Sequence, residues 1–360
     1  MSVFTPTPSR SSHVFLPYGP RGPLSRELHA VLGASADTPG PSDLMELALD
    51  AVARASDVAR DGDIQVTLLT LYGLHYGSFD QFGGDWEWHP GLIRTRAVLE
   101  RAFEAQLRAE VPSPALPDPS VDAVARFLFT LTGAQGGPSL ARFIAKSATS
   151  EQLRELLIQR SIYTLREADP HSWAIPRLTG RAKAALVEIQ SDEYGGGVPS
   201  RMHSAIFAQT MRALALDDTY GAYVDAVPAV TLASLNMMSM FGLNRRLRGA
   251  IVGHLAAFEM TSSIPNRFYG DGFRRHGFDV DATEYFDEHV EADAVHEQIA
   301  GRDLAGALAE DEPVLLPDIV FGAAACLAVD GWVGEHILDA WRRGDSSLRQ
   351  PVPEAGGATT

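Results

Sequence analysis

Cysteine is almost missing: the 360 residues hold one, Cys326 in GAAACLAV. A lone thiol makes no internal disulfide, so it reads as a small apolar residue packed in a helix, in a chain suited to a reducing cytoplasm. Basic residues are scarce as well, 30 Lys and Arg against 46 Asp and Glu, for a formal charge of −16. That balance argues against nucleic acid or an anionic membrane surface as a partner. No apolar run approaches the roughly 18 residues that span a bilayer, and MSVFTPTPSRSSHVFLPYG lacks a signal-type apolar core. Strand-like alternation is nearly absent. Only DIQVTLLTLYGLHYG, 63 to 77, is rich enough in β-branched residues to suggest a strand, and its length and flanks favour a helix. GxGxxG, P-loop, CxxC, HExxH and GxSxG patterns are lacking too, which removes support for dinucleotide, nucleotide, zinc-protease and hydrolase chemistry.

What the chain has is helical period. It runs through 25–33, 42–59, 92–110, 120–132, 150–168, 180–194, 201–216, 229–240, 243–262, 283–300 and 317–342. Pro112, Pro114 and Pro117 break the chain before the 120 helix, Ser150 is placed to cap EQLRELL, and Gly195 to Gly197 stop the helix that ends at Glu193. The expected fold is all-α. Residues 1–24 form an extended arm, 25–119 an N-terminal helical segment, 120–344 the main domain and 345–360 a flexible tail rich in Gly and Thr.

One octet resists a structural reading. In HVEADAVH, 289 to 296, His289, Asp293 and His296 fall at 0°, about 40° and about −20° around a helix, on one narrow stripe. An imidazole–carboxylate–imidazole stripe suits metal, yet His289 and His296 lie roughly 10 Å apart along the axis, too far to share one ion. The alternative is a solvated acidic face, since Glu284, Asp287, Glu288, Glu291 and Glu297 crowd the same segment.

Two ions would need more ligands from positions that otherwise look like core. Glu259 ends the apolar run GAIVGHLAAFEM, where an unpaired carboxylate is expensive to bury; a helix-end ion pair is its ordinary explanation. His203 in SRMHSAIFAQTM lies on an apolar side, as a satisfied core histidine would. Glu193 precedes it by ten residues across the three glycines, which allow the two to converge. Glu167, in SIYTLREADP, sits near a helix C-terminus where the macrodipole disfavours a carboxylate. Elsewhere Arg245, Arg246 and Arg248 are expected to pair with acids rather than to bind a substrate anion, Trp86 and Trp88 to pack in a loop or subunit contact, and His254 to be structural.

Taken together, Glu167, Glu193, His203, Glu259 and HVEADAVH resemble the haem-oxygenase-like di-iron oxidases and oxygenases. The likeness runs over roughly 150 to 342. It implies a seven-helix bundle without haem, preceded here by additional helices, that holds two irons. Glu193, His203, Glu259 and His296 would serve one iron and Glu167, His289 and Asp293 the other, with Glu193 able to bridge. Members that oxygenate amine or guanidine nitrogen carry an equivalent of Glu167; members that fragment amino acids or decarboxylate fatty acids do not.

The resemblance further implies an O2-dependent enzyme with two Fe(II), O2 as co-substrate and an external reductant, working through a peroxo-diferric intermediate on a small amino-acid-type substrate. The favoured outcome is abstraction at an aliphatic C–H, giving desaturation or ring formation; N-oxygenation is the alternative. A non-redox helical binding protein is the third reading, because fold alone does not fix function. The Met- and Phe-rich segment LASLNMMSMFGL, 232 to 243, is a candidate wall for such a substrate. An electron donor and a homodimer are the expected partners.

Overall fold

A computed structural model describes residues 16–34, 43–78, 84–133 and 139–352. In chain order the helices are α1 (Pro23–Leu32), α2 (Asp43–Arg54), α3 (Gly62–Gly73), α4 (Pro90–Glu110), α5 (Val121–Gly133), α6 (Leu140–Lys146), α7 (Ser150–Thr164), α8 (Asp169–Ser172), α9 (Gly180–Glu193), α10 (His203–Ala213), α11 (Ala229–Leu243), α12 (Arg248–Met260), α13 (Ser263–Arg275), α14 (Val280–Gln298), α15 (Ala307–Asp311) and α16 (Leu316–Arg343). No strand occurs among the described residues. The 63–77 segment is helical as α3, buried on every side, which explains why its pattern lacked a polar face.

Boundaries follow local chemistry. The cap of α7 is Thr149 rather than Ser150: its hydroxyl accepts from Gln152 N, and the Gln152 amide oxygen accepts from Thr149 N at 3.0 Å, closing a capping box. Four helices were not legible as such, the short α6, α8 and α15 and the longer α13. The first turn of α13 contains Pro265, and Gly270 and Gly272 follow; those glycines let it sit against Phe286 and Ile144, where a Cβ on Gly272 would lie 2.8 Å from the Ile144 carbonyl oxygen. At its C-terminal end α14 passes directly into a π-helical stretch, Ile299–Gly306, that packs on α5, α9 and α12. A widened turn next to His296 is a place where helices commonly depart from regularity for function.

The largest helix contact is α12 on α16. Glycine makes it possible. A Cβ on Gly253 would overlap the Ile319 carbonyl oxygen, and one on Gly322 would overlap the Ala250 carbonyl oxygen, so the two backbones meet with no side chain between them. This contact also explains an apolar stretch that sequence inspection passed over: Pro313–Arg343 is long and apolar enough to cross a membrane by composition, and 56% of its most apolar window is buried inside the bundle. The same helix holds Cys326 fully buried.

The N-terminal helices do not make a separate core. Buried residues from Tyr18 to Trp341 form one cluster, with α3 packed on α11. The expected arm and tail are both held where they are described. Gly19 N donates to Asp225 at 3.0 and 3.2 Å, and buried Ser347 donates its backbone N–H to Glu155 at 2.8 Å. Their Pro- and Ser-rich composition hides backbone and hydroxyl donors that find acids on the bundle. Arg246 and Arg248 pair with Glu104 and Glu312, each at 2.5 Å, as expected for an acidic protein. Trp86 is buried, and Trp88 is 66% exposed.

Candidate metal centre

Five segments bring the predicted ligands together: the turn after α7, the end of α9, the start of α10, the end of α12 and the C-terminal half of α14. Glu193 is the last residue of α9. Gly195, Gly196 and Gly197 then take φ of 66°, 59° and 83°, a left-handed run that side chains disfavour. A Cβ on Gly195 would lie 2.6 Å from Met202 N, so the absence of one lets the chain fold back and start α10 with His203 against Glu193. His203 Nδ1 ends 3.0 Å from Glu193 Oε2.

Glu167 lies in the turn that ends α7. Ala168, next to it, is buried with φ of 73°, an unusual conformation for a residue with a Cβ, and the strain is held by Gln190 Nε2 donating to Ala168 O at 2.8 Å. Strain of this kind marks places where backbone direction matters more than local stability. Here it turns Glu167 toward α14. Tyr285 of α14 donates its hydroxyl to both Glu167 oxygens, at 2.8 and 2.9 Å, and one turn later His289 Nε2 stands 3.5 Å from Glu167 Oε1. His289 Nδ1 donates to Tyr285 O at 2.7 Å, because a carbonyl can only accept. That bond fixes the ring and turns Nε2 inward, the usual arrangement behind a ligating imidazole.

His296 works the other way round. Its Nε2 meets Asp192 Oδ2 at 3.1 Å, while Nδ1 faces Glu259 Oε2 at 3.4 Å and Glu193 Oε1 at 3.9 Å. Two clusters result: Glu167, Glu193, His203 and His289, and Glu193, Glu259 and His296, the ligand atoms in each lying within 4.8 Å of one another. All six side chains are buried. Glu193 belongs to both clusters, as its expected bridging position requires. His203 groups with Glu167 and His289 rather than with Glu259 and His296, because the glycine turn delivers it from the far side of Glu193. Asp293 is on α14, and its side chain lies outside the described residues.

Three buried carboxylates and three imidazoles make an oxygen- and nitrogen-rich donor set of the kind that holds Fe(II). The geometry fits a metal better than a set of ion pairs. His203 Nδ1 is buried and meets no hydrogen-bond geometry, although a Glu193 carboxylate oxygen lies 3.0 Å away. Several carboxylates packed together this way repel one another without a cation. Burial pushes the Glu259 carboxyl up, with Glu193 adding to the effect. Burial also opposes charge on His296, but the bond to Glu259 and the Asp192 and Glu193 carboxylates outweigh it and push its imidazole up to about 9.

A sign follows for the metal-free protein. With its folded value above the ordinary 6.5, His296 contributes stability that is complete below about pH 6.5 and is lost as pH rises through about 9. A divalent ion must displace that proton. Its affinity is therefore expected to climb about tenfold per pH unit between pH 6 and 8, with proton release on binding, when Mn(II) or anaerobic Fe(II) is titrated calorimetrically. A flat profile would show that no proton leaves.

The cavity beside the cluster, about 270 Å³ including its mouth, is lined by Tyr163, Leu255, Phe258, His171 and Gln190 as well as Glu167, Glu193, Glu259 and His289. The Met-rich segment 232–243 contributes nothing to it; α11 is core, and only Leu235 and Ser239 reach a different cavity. His254 is structural in that its Nδ1 shares a 3.1 Å hydrogen bond with His171 Nε2, but through His171 it supports the cavity wall. Sequence reading missed Tyr285 and Asp192. The signal for Tyr285 was present, an aromatic donor one turn before a candidate histidine; Asp192 looked like another surface acid. Replacing Tyr285 with Phe removes the hydroxyl behind Glu167 and is expected to weaken metal binding about 10- to 100-fold, measured by anaerobic Fe(II) titration.

Residues 154–331 match the family of iron-containing redox enzymes, a span that includes every residue of both clusters. A nitrosourea synthase from Streptomyces achromogenes subsp. streptozoticus is 28% identical over 232 residues, 64% of this chain and 49% of the relative. The matched part spans about half the length of that curated relative.

Proposed function

We propose that the chain, whose residues 154–331 match the iron-containing redox enzymes, is a non-haem di-iron, O2-dependent oxidase or oxygenase acting on a small amino-acid-type substrate. The observation that carries this reading is Glu193, one buried carboxylate shared by two ligand clusters. Glu167, Glu193, Glu259, His203, His289 and His296 would hold the pair of Fe(II) ions, whose chemistry when bound would be two-electron reduction of O2 with an external reductant.

The chain's own residues do the rest. Glu167, Glu193 and Glu259 would balance the metal charge, Tyr285 holds both oxygens of Glu167 and Asp192 holds His296 through Nε2. Tyr163, Leu255 and Phe258 wall the cavity against water, which preserves a reactive oxidant for the substrate. Ser262 and Gln190 add polar groups to its lining. A cytoplasmic setting, with its supply of reduced iron, suits such an enzyme.

The apolar wall of Leu255 and Phe258 supports oxidation at an aliphatic C–H, giving desaturation or ring formation. A second reading, N-oxygenation of an amine or guanidine, draws support from the relative: a nitrosourea carries an oxidised nitrogen, and Glu167 is the carboxylate that N-oxygenating members share. The products separate them. Protein loaded anaerobically with Fe(II), mixed with candidate amino acids and exposed to O2, is expected to yield a product two hydrogens lighter for C–H oxidation or one or more oxygens heavier for N-oxygenation, read by mass spectrometry. Iron-loaded protein that consumes no O2 with any amino acid would remove the oxygenase reading.

A further inference from the structure

A chain of hydrogen bonds runs from the surface to the cavity beside the clusters, and each bond in it has a fixed direction. Asp169, whose side chain is 28% exposed, accepts from the Tyr194 hydroxyl at 2.9 Å. With its proton given there, Tyr194 accepts from Ser172, whose Oγ lies 2.9 Å away. Ser172 then has only lone pairs left for Gln190 Nε2, at 2.7 Å. The same Nε2 donates to Ala168 O at 2.8 Å, and a carbonyl only accepts. Two partners therefore fix the side on which the Gln190 nitrogen lies.

The amide oxygen is left over. Gln190 is 3% exposed, and among the described residues its Oε1 has no hydrogen-bond partner. Turning the amide over gives no relief, because the oxygen would then face the Ala168 carbonyl. Holding the strained Ala168 turn explains the nitrogen and leaves the oxygen unexplained; a buried acceptor without a donor is costly, so it marks a place where a donor binds. Gln190 stands one turn before Glu193 on α9, and both line the cavity together with Glu167, Glu259 and His289. Away from its mouth that cavity has room for about one water.

We propose that Gln190 Oε1 is the acceptor that holds a single water in this cavity, beside the ligand clusters. The water gives one proton to Gln190 and the other to a carboxylate of the lining, which leaves its lone pairs for a cation in the clusters. Such a site favours a small ligand that carries a proton over one of similar size that carries none. The water rests on the amide and the cavity rather than on the metal, so this inference can fail while the di-iron reading stands.

A crystal structure of the metal-free full-length protein is expected to show an ordered water about 2.7–3.2 Å from Gln190 Oε1. An oxygen with no water on it, or an amide turned with Nε2 toward the cavity, would overturn the proposal. The second arm loads the wild-type protein and Gln190→Met anaerobically with Fe(II) and titrates both with nitric oxide, a small ligand with no proton to donate. Loss of the acceptor removes the advantage of water, so nitric oxide is expected to bind the variant's iron about 3- to 10-fold more tightly. A side chain that only strapped the Ala168 turn would give weaker iron or nitric oxide binding when lost, not tighter nitric oxide binding. Unchanged or weaker nitric oxide affinity at the bound iron contradicts the proposal. Wild-type protein that takes up no iron defeats the di-iron reading instead, and the crystal structure then decides the water by itself.

Discussion

Glu193→Gln is expected to lower bound iron from about two per chain to below about half, and product formation about a thousandfold or more. The size of the effect comes from position. Glu193 Oε2 faces His203 at 3.0 Å and Oε1 faces His296 at 3.9 Å, so one carboxylate serves both clusters. Gln keeps the shape but removes the charge and turns an N–H toward ligand atoms. Glu259→Gln touches only the cluster with His296 and should leave about one iron bound at the Glu167, His203 and His289 cluster. The contrast is read by metal analysis of anaerobically loaded protein after gel filtration, with circular dichroism to confirm equal helix content. Equal iron loss in both variants would mean that Glu193 is not shared.

The second large effect is structural and lies away from the ligands. Gly253→Ala places a methyl onto the Ile319 carbonyl oxygen at the closest approach of α12 and α16. Backbone cannot move aside as a flexible side chain can, so the helices must separate along their largest contact. Overpacking of this kind costs about 3 kcal/mol, which for a chain of this size lowers Tm by roughly 4 °C. Glu259 lies on the same helix, six positions further on, so metal affinity should fall with stability. Gly331→Ala is the control. It lies on α16, its Cβ would meet nothing within 4 Å, and the gain in helix propensity should raise stability by about 0.5–1 kcal/mol. Calorimetric melts of the two variants with opposite signs would establish that packing, not glycine content, governs this pair of helices.

How far the sequence disclosed the site depends on what each residue could otherwise be doing. HVEADAVH was legible because two imidazoles and a carboxylate on one stripe have no apolar explanation, and Glu193 and His203 because three glycines between them permit a reversal. The side on which His203 would land was not legible. It depends on φ values at Gly195 to Gly197 and on how closely Gly195 approaches Met202, neither of which spacing encodes. Tyr285 and Asp192 escaped because each acts through another residue and looks ordinary in its own helix. The 232–243 segment, a candidate wall whose commoner reading is plain core, does not line the cavity beside the clusters, which takes Leu255 and Phe258 from the helix that already carries Glu259. Among the helices, α13 was hidden by Pro265 and its glycines, the same features that let it pack closely once formed.

The shared position of Glu193 makes one claim central: the buried clusters hold a pair of irons. Anaerobic titration of the metal-free protein with Fe(II), followed by Mössbauer spectroscopy of the loaded sample before and after O2, tests it most directly. The account predicts uptake of about two irons per chain and, after O2, a spin-coupled diferric signal. Uptake of one iron or none, or two irons that remain magnetically independent, would contradict it.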